Sequence, residues 1–132
     1  MKALLDTHSF LWAVISPEKL SVPAREAIAD PANHVSVSTV TFWEISLKFA
    51  LGKLALEGCM PEDLVTVAGD MGCAIEAPTA EESATFYRLP RLAHKDPFDR
   101  LLIWLCLQRD WRLIGRDGSF DAYQPLGLKT LW

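Results

Sequence analysis

The chain has few cysteines and no long hydrophobic run. Its 132 residues include three cysteines, Cys59, Cys73 and Cys106, none of which forms a close pair. An odd number without close spacing favours neither a disulfide framework nor a zinc knuckle, and it indicates reduced thiols in a cytoplasm. The longest apolar run, residues 101–107, is too short to cross a bilayer. The N-terminal residues lack the apolar stretch of a secretory signal, so we expect a cytoplasmic protein without a membrane span.

The charge balance is acidic, with 13 Lys and Arg against 17 Asp and Glu and a formal net charge of −4. Bulk electrostatic attraction to nucleic acid is therefore not expected. A nuclease is still compatible with this charge, because bound divalent cations would reverse the local field at an acidic pocket. Half of the residues are apolar and 23% are charged, which is ordinary for a globular protein. The length predicts a single domain over residues 1–132.

Short apolar segments alternate with helical patterns along the chain. We predict strands at 2–5, 34–37, 73–75 and 112–115, and a short edge strand within 127–131. We predict helices at about 7–14, 24–29, 39–51, 61–71, 79–87 and 96–109. Residues 101–107 are apolar on every side, so the last of these helices should be buried between neighbours. This alternation predicts an α/β layered fold with a mainly parallel sheet.

The helix predicted from about residue 39 to Leu51 carries an acidic residue beside an apolar stripe. Thr39 or Thr41 is the expected N-cap. The stripe has helical spacing and consists of Val40, Trp43, Leu47 and Leu51. Glu44 falls next to this stripe, away from the polar face.

Four acidic residues occupy positions where the predicted chain changes direction. Asp6 and Asp117 follow apolar strands, and Glu44 and Asp99 lie on helices dense in apolar residues. In parallel sheets, ligands gather beyond the carboxyl ends of the strands, so we expect these carboxylates to meet at one edge. A carboxylate beside a core is costly unless a cation or hydrogen-bond donors compensate it. The pattern therefore predicts a cation site.

Each acid also has a purely structural interpretation, since caps, turns and ion pairs are common uses of acidic residues. In this interpretation Asp6 caps a helix and Asp99 forms a capping pair with Asp96. Asp117 is a turn residue, and Glu44 forms an i, i+4 ion pair with Lys48. These roles remain open for each residue taken singly. The recurrence of all four near strand ends favours a shared site.

The chemistry of such a site is that of magnesium or manganese, which prefer hard oxygen ligands and often bind substrate phosphate as well. Cations held in this way lower the pKa of a bound water and stabilise charge on a phosphate, so no lysine or histidine general base is required. His8, His34 and His94 lack the spacing of a zinc site, and we expect local hydrogen bonding for all three.

An ordered set of motifs spans nearly the whole chain. These are Leu4-Leu5-Asp6-Thr7-His8, Trp43-Glu44-Ile45-Ser46-Leu47-Lys48, Leu51-Gly52-Lys53-Leu54, Leu89-Pro90, the run from His94 to Ile103, and Asp117. In this order the motifs resemble PIN-domain proteins, and among them the VapC-type toxins of bacterial toxin–antitoxin pairs. The resemblance implies a three-layer α/β/α sandwich, Mg²⁺- or Mn²⁺-dependent hydrolysis of RNA phosphodiester bonds, a homodimer and a cognate antitoxin protein.

The resemblance also implies roles for individual residues. The catalytic and metal-binding acids of the family fall on Asp6, Glu44, Asp99 and Asp117, while Asp96 resembles a helix cap. Asp121 is a candidate fifth acid, for which a surface turn is the favoured interpretation. Two departures stand out. Gly115 occupies a position where many relatives carry threonine, so a hydroxyl that orients a ligand or water is missing. In addition, Ile103-Trp104-Leu105-Cys106 replaces a segment that is often rich in small residues and glutamine, which suggests altered packing.

Two other functional classes share part of this pattern. A catalytically inactive PIN-like module that binds RNA or an antitoxin is the main alternative, but four intact acids favour the enzyme. A phosphoacceptor signalling domain would need an adjacent acidic pair after the first strand and a lysine after the last, and neither is present. A basic cluster precedes the third acid and is either an RNA phosphate contact or a solvated face; it consists of Arg88, Arg91, His94, Lys95 and Arg100. Of the five tryptophans, Trp12 and Trp132 are the expected interface residues.

Overall fold

A five-stranded sheet lies at the centre of the computed structural model, in which we describe residues 1–92 and 95–132. The strands are β1 (Lys2–Leu5), β2 (His34–Ser38), β3 (Ala74–Glu76), β4 (Arg112–Ile114) and β5 (Lys129–Leu131). Their spatial order is β3-β2-β1-β4-β5, and each neighbouring pair is parallel. The carboxyl ends of β1, β2 and β4 therefore meet at one edge of the sheet.

Within the described residues, six α-helices connect and cover these strands. They are α1 (Thr7–Ile15), α2 (Val22–Ala29), α3 (Thr39–Ala50), α4 (Asp63–Asp70), α5 (Ala80–Thr85) and α6 (Pro97–Arg109). Short 3₁₀ segments occupy Pro17–Lys19, Phe86–Arg88 and Gly118–Leu126. The alternation predicted from sequence is confirmed, with boundaries displaced by a few residues. None of the helices in the described part of the chain is long and apolar enough to cross a membrane.

The pleat of the strands divides the core into two parts. Successive side chains of a strand point to opposite faces, and Ala3 and Leu5 of β1 accordingly pack with Phe10 of α1. Leu4 faces the other way and packs with Leu102 and the rest of α6. The first face is covered by α1, α2 and α4, and the second by α6. The fold is thus the predicted three-layer α/β/α sandwich.

Helix α6 is the buried helix that its composition predicted. Residues 102–106 are all buried between the sheet and the surrounding segments. Asp96 caps this helix, since its Oδ1 accepts hydrogen bonds from the amides of Phe98 (2.8 Å) and Asp99 (3.3 Å). Asp99 follows in the first turn. The cap assignment for Asp96 is therefore confirmed.

Helix α3 differs from its prediction in cap and in orientation. Its N-cap is Ser38, whose Oγ accepts from the amide of Val40 at 3.1 Å, and the predicted caps Thr39 and Thr41 both lie inside the helix. The reason is that β2 runs directly into α3, so the last residue of the strand also caps the helix.

Of the four residues in the apolar stripe of α3, Val40 faces the core and the other three do not. Trp43 is 63% exposed, and Leu47 and Leu51 are also exposed, whereas Glu44 and Ile45 are buried. Burial on α3 is set by the direct junction with β2, which fixes the rotation of the helix regardless of where its apolar residues fall.

Of the five tryptophans, all of which are described, Trp43 is the exposed one. The expected interface residues Trp12 and Trp132 are partly buried, and their ring centroids are 5.7 Å apart.

Candidate active site

Asp6 lies at the junction of β1 and α1 and is only 4% exposed. Its backbone amide donates to the carbonyl of Ile114 at 3.0 Å, which continues the ladder between β1 and β4. Its Oδ1 accepts from the amide of Ser9 at 2.8 Å, so Asp6 does cap α1. Burial raises the pKa of the Asp6 carboxyl, while the Ser9 hydrogen bonds and His8 oppose this shift and the charge of Asp117 adds to it.

Glu44 is the most deeply buried acid of the predicted set, at 2% exposed. Thr7 Oγ1 donates to its Oε1 at 2.7 Å, and Nζ of Lys48 donates to its Oε2. The predicted ion pair between Glu44 and Lys48 is therefore confirmed. Each carboxylate oxygen has one donor, and the donors come from α1 and from the next turn of α3, so the orientation of Glu44 is fixed from two sides.

Asp99 is near this ion pair, because α3 packs against the start of α6. The rings of Trp43 and Phe98 meet edge to face with centroids 5.2 Å apart. Burial lowers the pKa of the Lys48 ammonium, but the hydrogen bond to Glu44 and the charges of Glu44, Asp96 and Asp99 outweigh it and raise the pKa. Lys48 thus lies in the field of three carboxylates.

Asp117 follows β4 and begins the 3₁₀ segment, where its Oδ1 accepts from the amide of Ser119 at 2.9 Å and from the hydroxyl of Ser119 at 2.8 Å. The predicted turn role is confirmed. Asp117 is exposed, yet its charge reaches the buried carboxyl of Asp6. Both acids line an open cavity of about 330 Å³, whose walls are formed by Asp6, His8, Trp12, Arg116 and Asp117.

Asp6 and Asp117 line the same cavity, and the charge of Asp117 acts on the Asp6 carboxyl. The charges of Glu44, Asp96 and Asp99 act on Lys48. Thr7 connects Asp6 to Glu44, because it follows Asp6 directly and donates to Glu44. Within residues 1–92 and 95–132, no three Asp, Glu, His or Cys side chains are grouped closely enough to hold one ion in this conformation.

The residues nevertheless fit a hard divalent cation on their chemistry. All four donors are carboxylates, the ligand type that magnesium and manganese prefer. Oε2 of Glu44 already accepts a cation, the ammonium of Lys48, on which the charge of Asp99 also acts. Such a cation would be held by Asp6, Glu44, Asp99 and Asp117.

The contacts of Asp121 within the described part of the chain do not involve the four predicted acids. It is exposed, and its Oδ1 accepts from Nε2 of Gln124 at 3.2 Å within the 3₁₀ segment. These contacts support the surface-turn interpretation.

The basic cluster lies beside the start of α6. Arg91, Lys95 and Arg100 line a cavity of about 550 Å³. Arg100 is anchored, since its Nη2 donates to the carbonyl of Leu89 at 3.0 Å and its guanidinium lies 4.9 Å from the ring centre of Phe86. His94, which we assigned to this cluster and to local hydrogen bonding, lies outside the described residues.

The other two histidines have contacts that sequence spacing did not indicate. Nε2 of His34 lies 3.7 Å from Oε1 of Glu76 on β3, far away in sequence. His8 lies over Trp12, with ring centroids 5.8 Å apart, and its charge acts on Asp6. The residue that sequence reasoning missed is Thr7, whose hydroxyl donates to Glu44. Its position directly after Asp6 was the available signal.

Comparisons with known proteins show which proteins this chain is similar to. A family model described as PIN domain matches residues 3–124. A relative named Ribonuclease VapC22, from Mycobacterium tuberculosis (strain ATCC 25618 / H37Rv), is 26% identical over 136 residues, which cover 98% of this chain and 97% of the relative.

Solved structures with the same fold include toxin–antitoxin complexes. VapBC2 from Rickettsia felis, bound to a DNA fragment from their promoter, aligns with a TM-score of 0.68 at 10% identity, over 99% of this chain and 98% of that chain. VapBC-1 from nontypeable Haemophilus influenzae aligns with a TM-score of 0.60 at 15% identity, over 99% and 97% of the two chains. At these identities the likeness concerns the fold.

Proposed function

This chain belongs to the PIN-domain family, and we therefore propose that it is a metal-dependent endoribonuclease that acts as the toxin of a toxin–antitoxin pair. The observation that carries the proposal is the burial of two carboxylates, Asp6 at the end of β1 and Glu44 within α3, where Thr7, the residue after Asp6, donates a hydrogen bond to Glu44. Burial of two acids is costly for stability, so it favours a role that needs them. The ribonuclease name of the mycobacterial relative supports the same activity.

In this mechanism the four acids hold Mg²⁺ or Mn²⁺, and each element has a distinct task. When bound, the cation would lower the pKa of a water molecule and stabilise negative charge on the scissile phosphate. Thr7 and Lys48 orient Glu44, and the Ser9 amide orients Asp6. Arg91 and Lys95, on the exposed surface before α6, would attract the flanking phosphates of the RNA.

The proposed partners are a cognate antitoxin and a second copy of this chain. A small apolar groove of about 210 Å³ opens between α3, α5 and α6, and it is lined by Val40, Trp43, Ser83, Phe86, Pro97, Phe98 and Leu101. Its wall residue Trp43 precedes the buried Glu44, so an antitoxin that fills the groove with an apolar side chain could place a basic residue near the acids. Toxin–antitoxin assemblies among the solved structures support such a partner.

The deciding experiment is RNA cleavage by purified protein with Mg²⁺, with Mn²⁺ and with excess chelator. Structured and single-stranded RNAs are both offered, and the variant Asp6→Asn, purified in the same way, reports any contaminating nuclease. We expect cleavage that requires the metal and is lost in the variant. Cleavage that persists in chelator and is absent from the Asp6→Asn preparation would refute metal dependence. Binding of RNA without cleavage under all conditions would favour the inactive-module alternative.

A further inference from the structure

Lys48 is a cation built into the acidic site. Its Nζ donates to Oε2 of Glu44, whose other oxygen is already held by Thr7. The side chain of Lys48 is 35% exposed, while that of Glu44 is 3% exposed. The exposed lysine therefore reaches inward to a buried carboxylate, and this geometry differs from that of a surface ion pair between two solvated groups.

The position of Lys48 also conflicts with a bound metal ion. The charges of Asp96 and Asp99 at the start of α6 act on the ammonium, and the rings of Trp43 and Phe98 hold α3 against this part of α6. A divalent cation held by Glu44 needs the lone pairs of a carboxylate that already accepts a hydrogen bond from Lys48. It would also be repelled by an ammonium a few ångströms away. Lys48 and the metal cannot both use Oε2 of Glu44 without loss to one of them.

We propose that Lys48 is a positioning residue that holds Glu44 in the metal-free protein and competes with the divalent cation for that carboxylate, so that it sets the metal affinity of the site. This inference rests on the proposed function, because it assumes that Glu44 is a metal ligand. Lys48 stabilises the metal-free protein through its ion pair with Glu44. Metal binding to Glu44 opposes this ion pair, and the coupling between the two reduces the metal affinity of the site. A lysine that served only to stabilise the fold would show no such coupling.

The test measures Mn²⁺ binding by calorimetry and thermal unfolding in chelator and in Mn²⁺, for the full-length chain. Lys48→Met removes the charge with similar side-chain length, and Lys48→Arg keeps the charge. Lys53→Met is the matched control, because Lys53 is exposed and has no ion pair within the described residues. We expect Lys48→Met to lower the melting temperature in chelator, to enlarge the Mn²⁺-induced rise, and to lower the Mn²⁺ Kd by on the order of tenfold.

The control variant separates the coupling from a general loss of positive charge, and Lys48→Arg should retain the weaker, wild-type-like affinity. If Lys48→Met does not fold in chelator, recovery of the folded state on addition of Mn²⁺ supports the proposal, and failure to recover overturns it. An unchanged or weaker Mn²⁺ affinity in Lys48→Met, with equal losses of melting temperature in both conditions, also overturns it. A wild-type chain that shows no Mn²⁺ response at all would instead refute the metal site of the proposed function.

Discussion

A Cβ atom at position 115 would lie 2.5 Å from Oδ2 of Asp6, because the backbone of Gly115 passes directly beside that carboxylate. The same atom would come within 2.7 Å of the ring of Phe120. Neither neighbour can move easily, since Asp6 is held by the amide of Ser9 and Phe120 is buried. The missing threonine hydroxyl at this position is therefore accompanied by a close approach between β4 and Asp6 that only glycine permits.

Gly115→Ala should consequently disturb both the fold and the site. We expect a loss of about 1–3 kcal/mol in the free energy of unfolding, typical of overpacking in a core, measured by urea denaturation. The Mn²⁺-induced rise in melting temperature should shrink as well, because Asp6 must turn away. Gly69→Ala in α4 is the control, since open space surrounds that position; its expected effect is a gain of up to about 1 kcal/mol. Equal effects of the two substitutions would contradict this prediction.

Much of the fold could be predicted from sequence because its periodic patterns are strong. The apolar run after Asp96 and Pro97 predicted α6 and its burial, and the strand–helix alternation predicted the parallel sheet. The family suggested by the ordered motifs is confirmed by the match over residues 3–124. The rotation of α3 could not be predicted from its apolar stripe, because Trp43, Leu47 and Leu51 are exposed and the junction at Ser38 decides which face is buried.

The candidate site, like the fold, could be predicted from sequence only in part. Strand-end acids could be recognised from position alone, and their functional roles stay predictions. The contacts that hold them could not be predicted, because the hydrogen bond from Thr7 to Glu44 joins residues that are 37 positions apart. The alternative structural roles proved compatible with the functional ones, since Asp6 caps a helix with Oδ1 while its Oδ2 remains beside Gly115.

A prediction about the pH dependence of stability concerns Glu82, whose contacts lie outside the acidic site. Arg109 binds Glu82 through two hydrogen bonds of 2.8 Å, and the side chain of Glu82 is 13% exposed. These bonds lower the pKa of the Glu82 carboxyl from 4.5 to about 2. Because the folded-state pKa is the lower one, the stability that Glu82 contributes is present above about pH 4.5 and is lost as the pH falls towards 2.

Glu82→Gln should therefore cost about 1–3 kcal/mol of unfolding free energy at pH 7, and the difference from wild type should shrink below pH 4.5. Urea denaturation at several pH values between 7 and 3 measures this difference. Glu81→Gln is the control on the same helix, where the side chain is exposed and no comparable effect is expected. A difference that stays constant over this pH range would show that the ion pair with Arg109 is not its source.

The partner proposal predicts both assembly and toxicity. Sedimentation of the purified chain at micromolar concentration should show a homodimer, and strong expression of the wild type alone should arrest cell growth. Asp6→Asn should relieve that arrest while the protein remains folded. Purely monomeric protein would contradict the dimer, and cells that tolerate the folded wild type would contradict the toxin role.

The groove predicts a separate effect on antitoxin binding. Trp43→Gln should weaken association with the antitoxin and leave Mn²⁺ binding intact, because Trp43 forms part of the groove wall and is exposed. Val22→Gln is the matched control, since Val22 is equally exposed on α2 and does not line the groove. Calorimetric titration with the purified antitoxin measures both variants. Equal affinities for Trp43→Gln and wild type would show that the antitoxin docks elsewhere.

The last prediction distinguishes the proposed ligand Asp99 from the cap Asp96. The negative charges of Glu44, Asp96 and Asp99 all act on Lys48, so these carboxylates lie in one region of the protein. Removing one negative charge should reduce repulsion there. We therefore expect Asp99→Asn to melt at or above the wild-type temperature in chelator, to show a smaller Mn²⁺-induced rise and to lose RNA cleavage, since metal binding to the native state supplies that rise.

Asp96→Ala is the comparison, because Asp96 caps α6 through the amides of Phe98 and Asp99. It should lower stability by about 1 kcal/mol with and without metal, as loss of a cap does, and it should retain most of the Mn²⁺ response. Thermal unfolding in chelator and in Mn²⁺ measures both variants. If Asp99→Asn behaves as Asp96→Ala does, melting lower without metal and keeping the full Mn²⁺ response and normal cleavage, Asp99 serves only the helix start and the metal must be held by the remaining acids.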